Sequence, residues 1–239
     1  METKIMEKVL HKANSRGHAD YGWLKTSYTF SFANYYDPAR VHFGKLRVLN
    51  DDYVAGGQGF DMHPHDNMEI VTIILEGVLQ HKDSMGNTFN IRKNDVQMMS
   101  AGTGIFHSEI NPDPENAVML LQIWVYPEKK NITPRYDQKT YDPADRVNKW
   151  QRVVSPDEPE AVSLNQQAWF SLARLEKGKA LDYTIHREES CLYVFIIEGS
   201  VEVADTILER RDGLGISGLS DFHFSAKEDA EILVMEIPR

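Results

Sequence analysis

The chain has 239 residues, a hydrophobic fraction of 41%, a formal net charge of -10 and a pI near 5.4. That is the composition of a globular protein with room for one large domain or two small ones. The acidic balance, with no basic run to offset it, argues against a direct grip on nucleic acid. One cysteine, Cys191, rules out an intrachain disulfide and fits a reducing compartment. The first residues lack the apolar core of a secretory signal, and apolar runs of about six residues are too short to span a membrane. A cytoplasmic protein with no membrane partner is expected.

In chain order, Tyr28, Phe30 and Phe32 alternate with small polar residues, which predicts a strand, and residues 34–38 read as a turn. His18 reads as a surface or hydrogen-bonding histidine. Residues 46–50 form a short strand, followed by the acidic pair Asp51 and Asp52. Gly56, Gly57 and Gly59 mark a bend before His63-Pro64-His65. Pro64 has no N–H for a ladder, so this stretch is expected to be bulged or at a sheet edge, at the mouth of a barrel. An apolar β-branched run over residues 70–75 stops at Gly77. A return strand over 78–83, a hairpin turn over 83–87 and strands over 89–92 and 96–99 follow. Residues 117–125 read as a long buried strand. No helical period appears in residues 20–127, so an all-β sandwich or barrel is expected.

Two clusters carry the chemistry. His63 and His65 are two apart, as are His107 and Glu109, and residues i and i+2 of a strand point to one face. Together they aim three imidazoles and a carboxylate into one space. That set suits a mid-row divalent metal, and four protein ligands on an octahedral ion leave two positions for a substrate oxygen and dioxygen. A closed tetrahedral zinc site is the structural alternative. A lone His-x-His is a weak signal. Two such pairs beside glycines, flanking one strand run, are a much stronger one.

From residue 127 to about 166 the composition turns to proline, charge and Asn/Gln, which reads as a crossing between two halves. The second half then repeats the first. Residues 72–80, Thr-Ile-Ile-Leu-Glu-Gly-Val-Leu-Gln, resemble residues 194–202, Val-Phe-Ile-Ile-Glu-Gly-Ser-Val-Glu, an offset of 122. The expected domains are 1–135 with the metal, a linker over 136–165, and 166–239 without a metal. The repeat itself makes the last point: at the offset of 122 His63 and His65 map onto Ile185 and Arg187, and at the offset of 118 that relates residues 92–97 to 210–215, His107 and Glu109 map onto Ser225 and Lys227. His186 and His223 lie nearby and are expected to be structural or exposed.

Gly57-x5-His63-x-His65-x3-Glu69 resembles the first cupin motif, and Gly104-x2-His107-x3-Asn111 the second. With Arg16-Gly-His-Ala, residues 29–37 and residues 100–109, the pattern resembles the pirin family of bicupins, two β-barrels in one chain. The second half resembles bacterial pirin-like proteins more loosely. Gly102 stands where many cupins have proline, a feature pirin-like chains share. The resemblance implies one divalent metal, usually Fe(II), with Ni, Mn, Cu, Co and Zn as alternatives. It would be held by His63, His65, His107 and Glu109, with Glu69 left to a supporting role. It also implies a quercetin 2,3-dioxygenase-like activity, in which a flavonol is cleaved by dioxygen with loss of carbon monoxide and Glu109 is the catalytic base. Some pirins instead act as metal- and redox-dependent partners of transcription factors or metabolic enzymes, so a protein-binding regulator is the alternative.

Overall fold

The structure, a computed structural model, describes residues 6–239. It is built almost wholly of strands, arranged as two barrels of one large and one small sheet each. The first barrel's large sheet uses β2 (Gly17–Asp20), β3 (Leu24–Tyr28), β4 (Leu46–Val54), β6 (Glu69–Glu76), β9 (Asp95–Ser100), β11 (Val118–Val125) and β12 (Arg135–Thr140), in the order β12-β9-β6-β11-β4-β3-β2. Its small sheet is β5 (Gly59–His65), β10 (Ile105–Ile110), β7 (Val78–Asp83) and β8 (Thr88–Arg92), in that order.

The second barrel repeats this plan. Its large sheet has the order β1-β20-β17-β22-β15-β13-β14: β1 (Glu7–His11), β20 (Gly213–Ser217), β17 (Ser190–Glu198), β22 (Ala230–Pro238), β15 (Trp169–Leu175), β13 (Gln151–Ser155) and β14 (Val162–Ser163). Its small sheet is β16 (Ala180–Thr184), β21 (Asp221–Ala226), β18 (Val201–Val203) and β19 (Thr206–Leu208).

The two large sheets pack face to face. Alternate residues of each central strand explain how. On β6, Val71 and Ile73 enter a core shared with Phe170, Tyr193, Phe195 and Leu233 of the second barrel, while Ile70, Thr72 and Ile74 point into the first barrel's lumen. On β17, Tyr193, Phe195 and Ile197 face the shared core and Leu192, Val194 and Ile196 the second lumen. Strands covered on both faces read as unbroken apolar runs, and the duplicated sequence consists of such runs.

Three expectations need correction. The chain does not divide at the expected boundaries: β1 pairs with β20 from Glu7↔Ser217 to His11↔Gly213, so the N-terminal strand edges the second barrel's sheet. The segment 136–165, expected as a linker, holds most of β12 and all of β13 and β14. The strand expected through Phe32 stops at Tyr28. Phe30 is fully buried between the barrels, with its ring 5.6 Å from His11 and 5.8 Å from Tyr193, and a turn follows at Ala33, φ 48°. Packing across the barrels, not the sheet ladder, uses Phe30, while Tyr28 and Phe32 turn to the first lumen. Among the described residues no helix is long and apolar enough to cross a membrane.

Candidate metal centre

The geometry begins with β5 and β10. β5 is the outer strand of its sheet, so Pro64 sits at an edge, where its missing N–H costs least. The two strands run His65↔Ile105, Pro64↔Phe106 and His63↔His107, and then the register slips. Glu109 faces Phe60, so Asp61 and Met62 together oppose Ser108. This is the bulge that the proline and glycines predict. Gly59 permits the tight approach, since a Cβ there would collide with the Glu109 carbonyl.

Alternation then places His63, His65 and His107 on the lumen side. Their ring centroids are 4.4 Å (63–107), 4.9 Å (63–65) and 4.9 Å (65–107) apart. One ligand atom from each lies within 4.8 Å of the others. His63 donates its Nδ1–H to the Asp61 carbonyl at 2.7 Å, which leaves its Nε2 lone pair free. The buried His107 Nε2 has no hydrogen-bond partner. An orphaned imidazole nitrogen is costly unless a cation meets it, so the donor set fits a divalent metal. Burial, with His63 and His81 adding, pushes His107 down to about 3. Burial, with His107 and His63 adding, pushes His65 down to about 4. Both rings are neutral at pH 7 and present lone pairs rather than protons.

Behind His107 lies a pair that the sequence did not single out. His107 Nδ1 is 3.4 Å from His81 Nδ1, and His81 Nε2 is 3.0 Å from Asp83 Oδ2. Burial pushes the Asp83 carboxyl up, but bonds from Asn87, His81 and the Asn87 and Met85 N–H groups outweigh it and hold the carboxyl below its usual range. Asp83 is therefore ionised and accepts only, so His81 carries its proton on Nε2. His81 Nδ1 then accepts from His107 Nδ1–H, which puts the bare lone pair of His107 on Nε2. The tautomer of the ring follows from a carboxylate two residues away from its neighbour.

Glu109 is buried on the same strand, and Gln122 Nε2 donates to its two carboxylate oxygens at 3.1 and 3.0 Å. Thr72 Oγ1 donates to Gln122 Oε1 at 3.1 Å and fixes the amide's orientation. Glu109 groups with His81 and His107 in a second cluster that shares His107 with the first. Glu69 lies elsewhere: its Oε2 accepts from Ser100 Oγ and Asn165 N–H, tying β6 to the crossing segment.

The three histidines and Glu109 line a cavity of about 440 Å³, walled by Trp23, Tyr28, Phe32, Phe60, Ile70 and Trp124. His65 meets Trp124 edge-on at 4.8 Å. His63 and His65 are half-buried at the mouth, while His107 and Glu109 are buried behind them. The signal for His81 and Asp83 was present as a His-x-Asp alternation on β7. What it lacked was the register, His107↔Asp83 and Glu109↔His81, which no local pattern records.

Among the described residues the second barrel holds no such cluster. Glu236 faces Leu192 as Trp124 faces Ile70, and these partners are related by the same offset of 122. Glu236 is fully buried and accepts from His186 Nδ1 (2.7 Å), the His186 and Arg187 N–H groups, and Tyr183 Oη. Arg152 Nη2 donates to His186 Nε2 at 2.8 Å, and the Trp169 ring stacks on the imidazole at 4.8 Å. Both ring nitrogens of His186 are committed. His223 is exposed, with Nδ1 2.6 Å from Asp182.

The comparisons agree with this architecture. The family model described as Pirin matches residues 9–125, and the one described as quercetinase C-terminal cupin domain matches residues 152–237. The chain is 42% identical over 230 residues to a quercetin 2,3-dioxygenase of Escherichia coli, covering 96% of this chain and 98% of the relative. It is 38% identical over 222 residues to a pirin-like protein of Caulobacter vibrioides, covering 92% and 95%. A crystal structure of the bacterial pirin YhhW of Escherichia coli in complex with nickel(II) superposes with a TM-score of 0.92 at 40% identity, covering 97% and 99%.

Proposed function

The chain belongs to the pirin family, and on that premise we propose that it is a metal-dependent dioxygenase acting on a flavonol such as quercetin. The observation that carries this reading is the convergence of three imidazoles, with the buried Glu109 carboxylate in an adjoining group that shares His107, on the wall of an aromatic-lined cavity of about 440 Å³. His63, His65, His107 and Glu109 are the proposed ligands of one divalent ion. Iron(II) is the first choice for oxygen chemistry, with nickel(II) next, given the nickel-bound relative. When bound, such an ion polarises a substrate oxygen and gives dioxygen a site beside the ring.

The rest is the work of the chain. Trp124, Phe60 and Tyr28 offer rings for an aromatic ligand to lie against. Glu109 is the proposed base for the flavonol's 3-hydroxyl proton. Gln122 holds that carboxylate in one orientation, so the proton moves to a positioned oxygen rather than to bulk water. His81 and Asp83 hold His107 in the tautomer that leaves Nε2 bare. The alternative, a redox-responsive binding protein, has no need of an open cavity. Half-exposed ligands at the mouth of a substrate-sized space favour turnover. With one buried cysteine and no disulfide to protect, the cytoplasm is the proposed compartment.

The test is oxygen uptake on adding quercetin to iron-loaded protein prepared without air. Uptake by the wild type that disappears in Glu109→Gln with metal still bound is the expected result. Metal-loaded wild type that takes up no oxygen refutes the dioxygenase reading.

A further inference from the structure

One wall of the cavity has no part in the chemistry described above. It is made by β3 and β4, where Thr26 pairs with Asp52, and Asn50 lies two residues along β4 on the same face. All three side chains line the cavity and are at least nine-tenths buried, at 4%, 3% and 5% exposure for Thr26, Asn50 and Asp52. Asp52 Oδ1 and Asn50 Oδ1 have no hydrogen-bond partner in the protein. The neighbouring Asp51 points the other way and meets two arginines, Arg16 and Arg211, each at 3.3 Å. Among the described residues no such cation reaches Asp52.

The register fixes where this wall stands relative to the histidines. Along β11, Trp124 meets His65, Gln122 holds Glu109, and Leu120 pairs with Asp52. Each step of two residues advances about 7 Å along a strand. The wall therefore begins one strand over from Gln122, opposite Asn50, and continues away from the imidazoles to Asp52.

We propose that Asn50 and Asp52 form a subsite for ring hydroxyl groups, selecting aromatic substrates that carry hydroxyls at the end remote from the metal-binding oxygens. This rests on the flavonol reading above and adds to it which flavonols the cavity prefers. Two orphaned, buried acceptors on the wall of a largely apolar cavity need donors, since a buried oxygen without one forfeits its water bonds. A phenolic O–H is such a donor. An ammonium group would satisfy Asp52 as well, but the aromatic walls favour a flat ring carrying its donors at the edge. The pressure on Asp52 is visible in its proton affinity. Burial pushes its carboxyl up to about 7, with the charges of Asp51 and Glu109 adding and the Thr26 hydroxyl opposing. Tyr28, on β3, is the other titratable group facing it. The β11 neighbours Leu120 and Gln122 carry no charge. A hydroxyl bonded to Oδ1 relieves that burial cost.

The experiment is binding, measured by quenching of tryptophan fluorescence in zinc-loaded protein, where no ligand is consumed. Quercetin, with two adjacent hydroxyls on its pendant ring, is compared with the flavonol that has none there and is otherwise identical. Both share the oxygens at the metal-binding edge. The wild type is expected to bind quercetin at least about tenfold more tightly, the size of a hydrogen bond to a charged group. Asp52→Leu is expected to remove most of that preference, with the unsubstituted flavonol held within about twofold. Asp52→Asn, which keeps the shape and one acceptor, should lose part of it and guards against misfolding of the leucine variant. Equal binding of the two ligands by the wild type, or a preference that survives in both variants, overturns the subsite. Failure of the wild type to bind either flavonol is a different result, and it overturns the flavonol reading itself.

Discussion

The two barrels share a strand order and a core packed between their large sheets, yet they satisfy their buried polar groups in opposite ways. In the first, three imidazoles turn lone pairs inward and leave one nitrogen with nothing to bond. In the second, a carboxylate, Glu236, stands where Trp124 stands in the first, and His186, Arg187 and Tyr183 turn donors towards it. The first arrangement has a place for the proposed cation; the second is satisfied by its own donors. A site that needs something from outside is left open for it, and a site that satisfies itself becomes core. The lumens differ to match. The first keeps a cavity of about 440 Å³, while Tyr183, Phe222, Phe224, Leu192 and Val194 pack together in the second.

The largest expected contrast comes from matched deletions. His63→Ala should abolish metal loading and reduce turnover by a factor of about a thousand or more, as expected for loss of a ligand on which the chemistry depends. His186→Ala, at the histidine next to the mapped position Ile185 in the second barrel, should leave metal content and turnover per folded molecule unchanged. Elemental analysis and oxygen uptake check both. Equal metal loss in the two variants would break the comparison.

Next comes stability. Glu236→Leu strands His186 Nδ1, Tyr183 Oη and the His186 and Arg187 N–H groups, which should cost about 3 kcal/mol. Denaturant unfolding measures that loss. Metal affinity of the folded fraction should not change, because nothing in the network touches the first lumen.

His81→Gln should weaken metal binding by about 10- to 100-fold, the range for partners that orient a metal-bound histidine. It breaks the relay from Asp83 without removing any of the four proposed ligands. A competition titration with a chelator reads the change. An unchanged affinity would mean that the tautomer of His107 is set by something other than His81.

The last effect is a pH dependence. In the metal-free protein, the Asp52 carboxyl is raised to about 7 from an unfolded value near 3.8. Between those values the folded state binds more protons than the unfolded state, so this group makes stability fall as pH rises through that window. His65 and His107, lowered by burial, act in the opposite sense: they cost stability as pH falls below about 6.5. Asp52→Asn removes only the first effect. Its stability relative to wild type should improve by about 4 kcal/mol between pH 3.5 and pH 8. A constant difference across that range would show that Asp52 ionises freely.

Much of this was legible in the sequence, for local reasons. The His-x-His and His-x-Glu spacings fix which side chains share a face, and the glycines and Pro64 mark the bulge that aims them. The repeat of residues 72–80 in 194–202 shows the second barrel, and substitution at the mapped positions shows its missing ligands. What escaped was set by pairing between distant segments. Lys12 and Ala13 bond Asp212 across the molecule, and β1 crosses to the second sheet, but nothing in residues 7–11 announces it. His81 has meaning only beside His107. Asp52 is the instructive case, since an acidic pair reads as the end of a strand. Yet Val48, Asn50 and Asp52 continue the alternation, and β4 runs on to Val54. The strand carries one aspartate inward to the cavity and the other outward to two arginines.

The central claim is that one barrel does the chemistry and the other only supports it. The most direct test is the metal-to-chain ratio after loading and desalting, measured for the wild type, His63→Ala and His186→Ala in one series. The account predicts one metal per chain in the wild type and in His186→Ala, and none in His63→Ala. Metal that stays with His63→Ala, or leaves with His186→Ala, would contradict it.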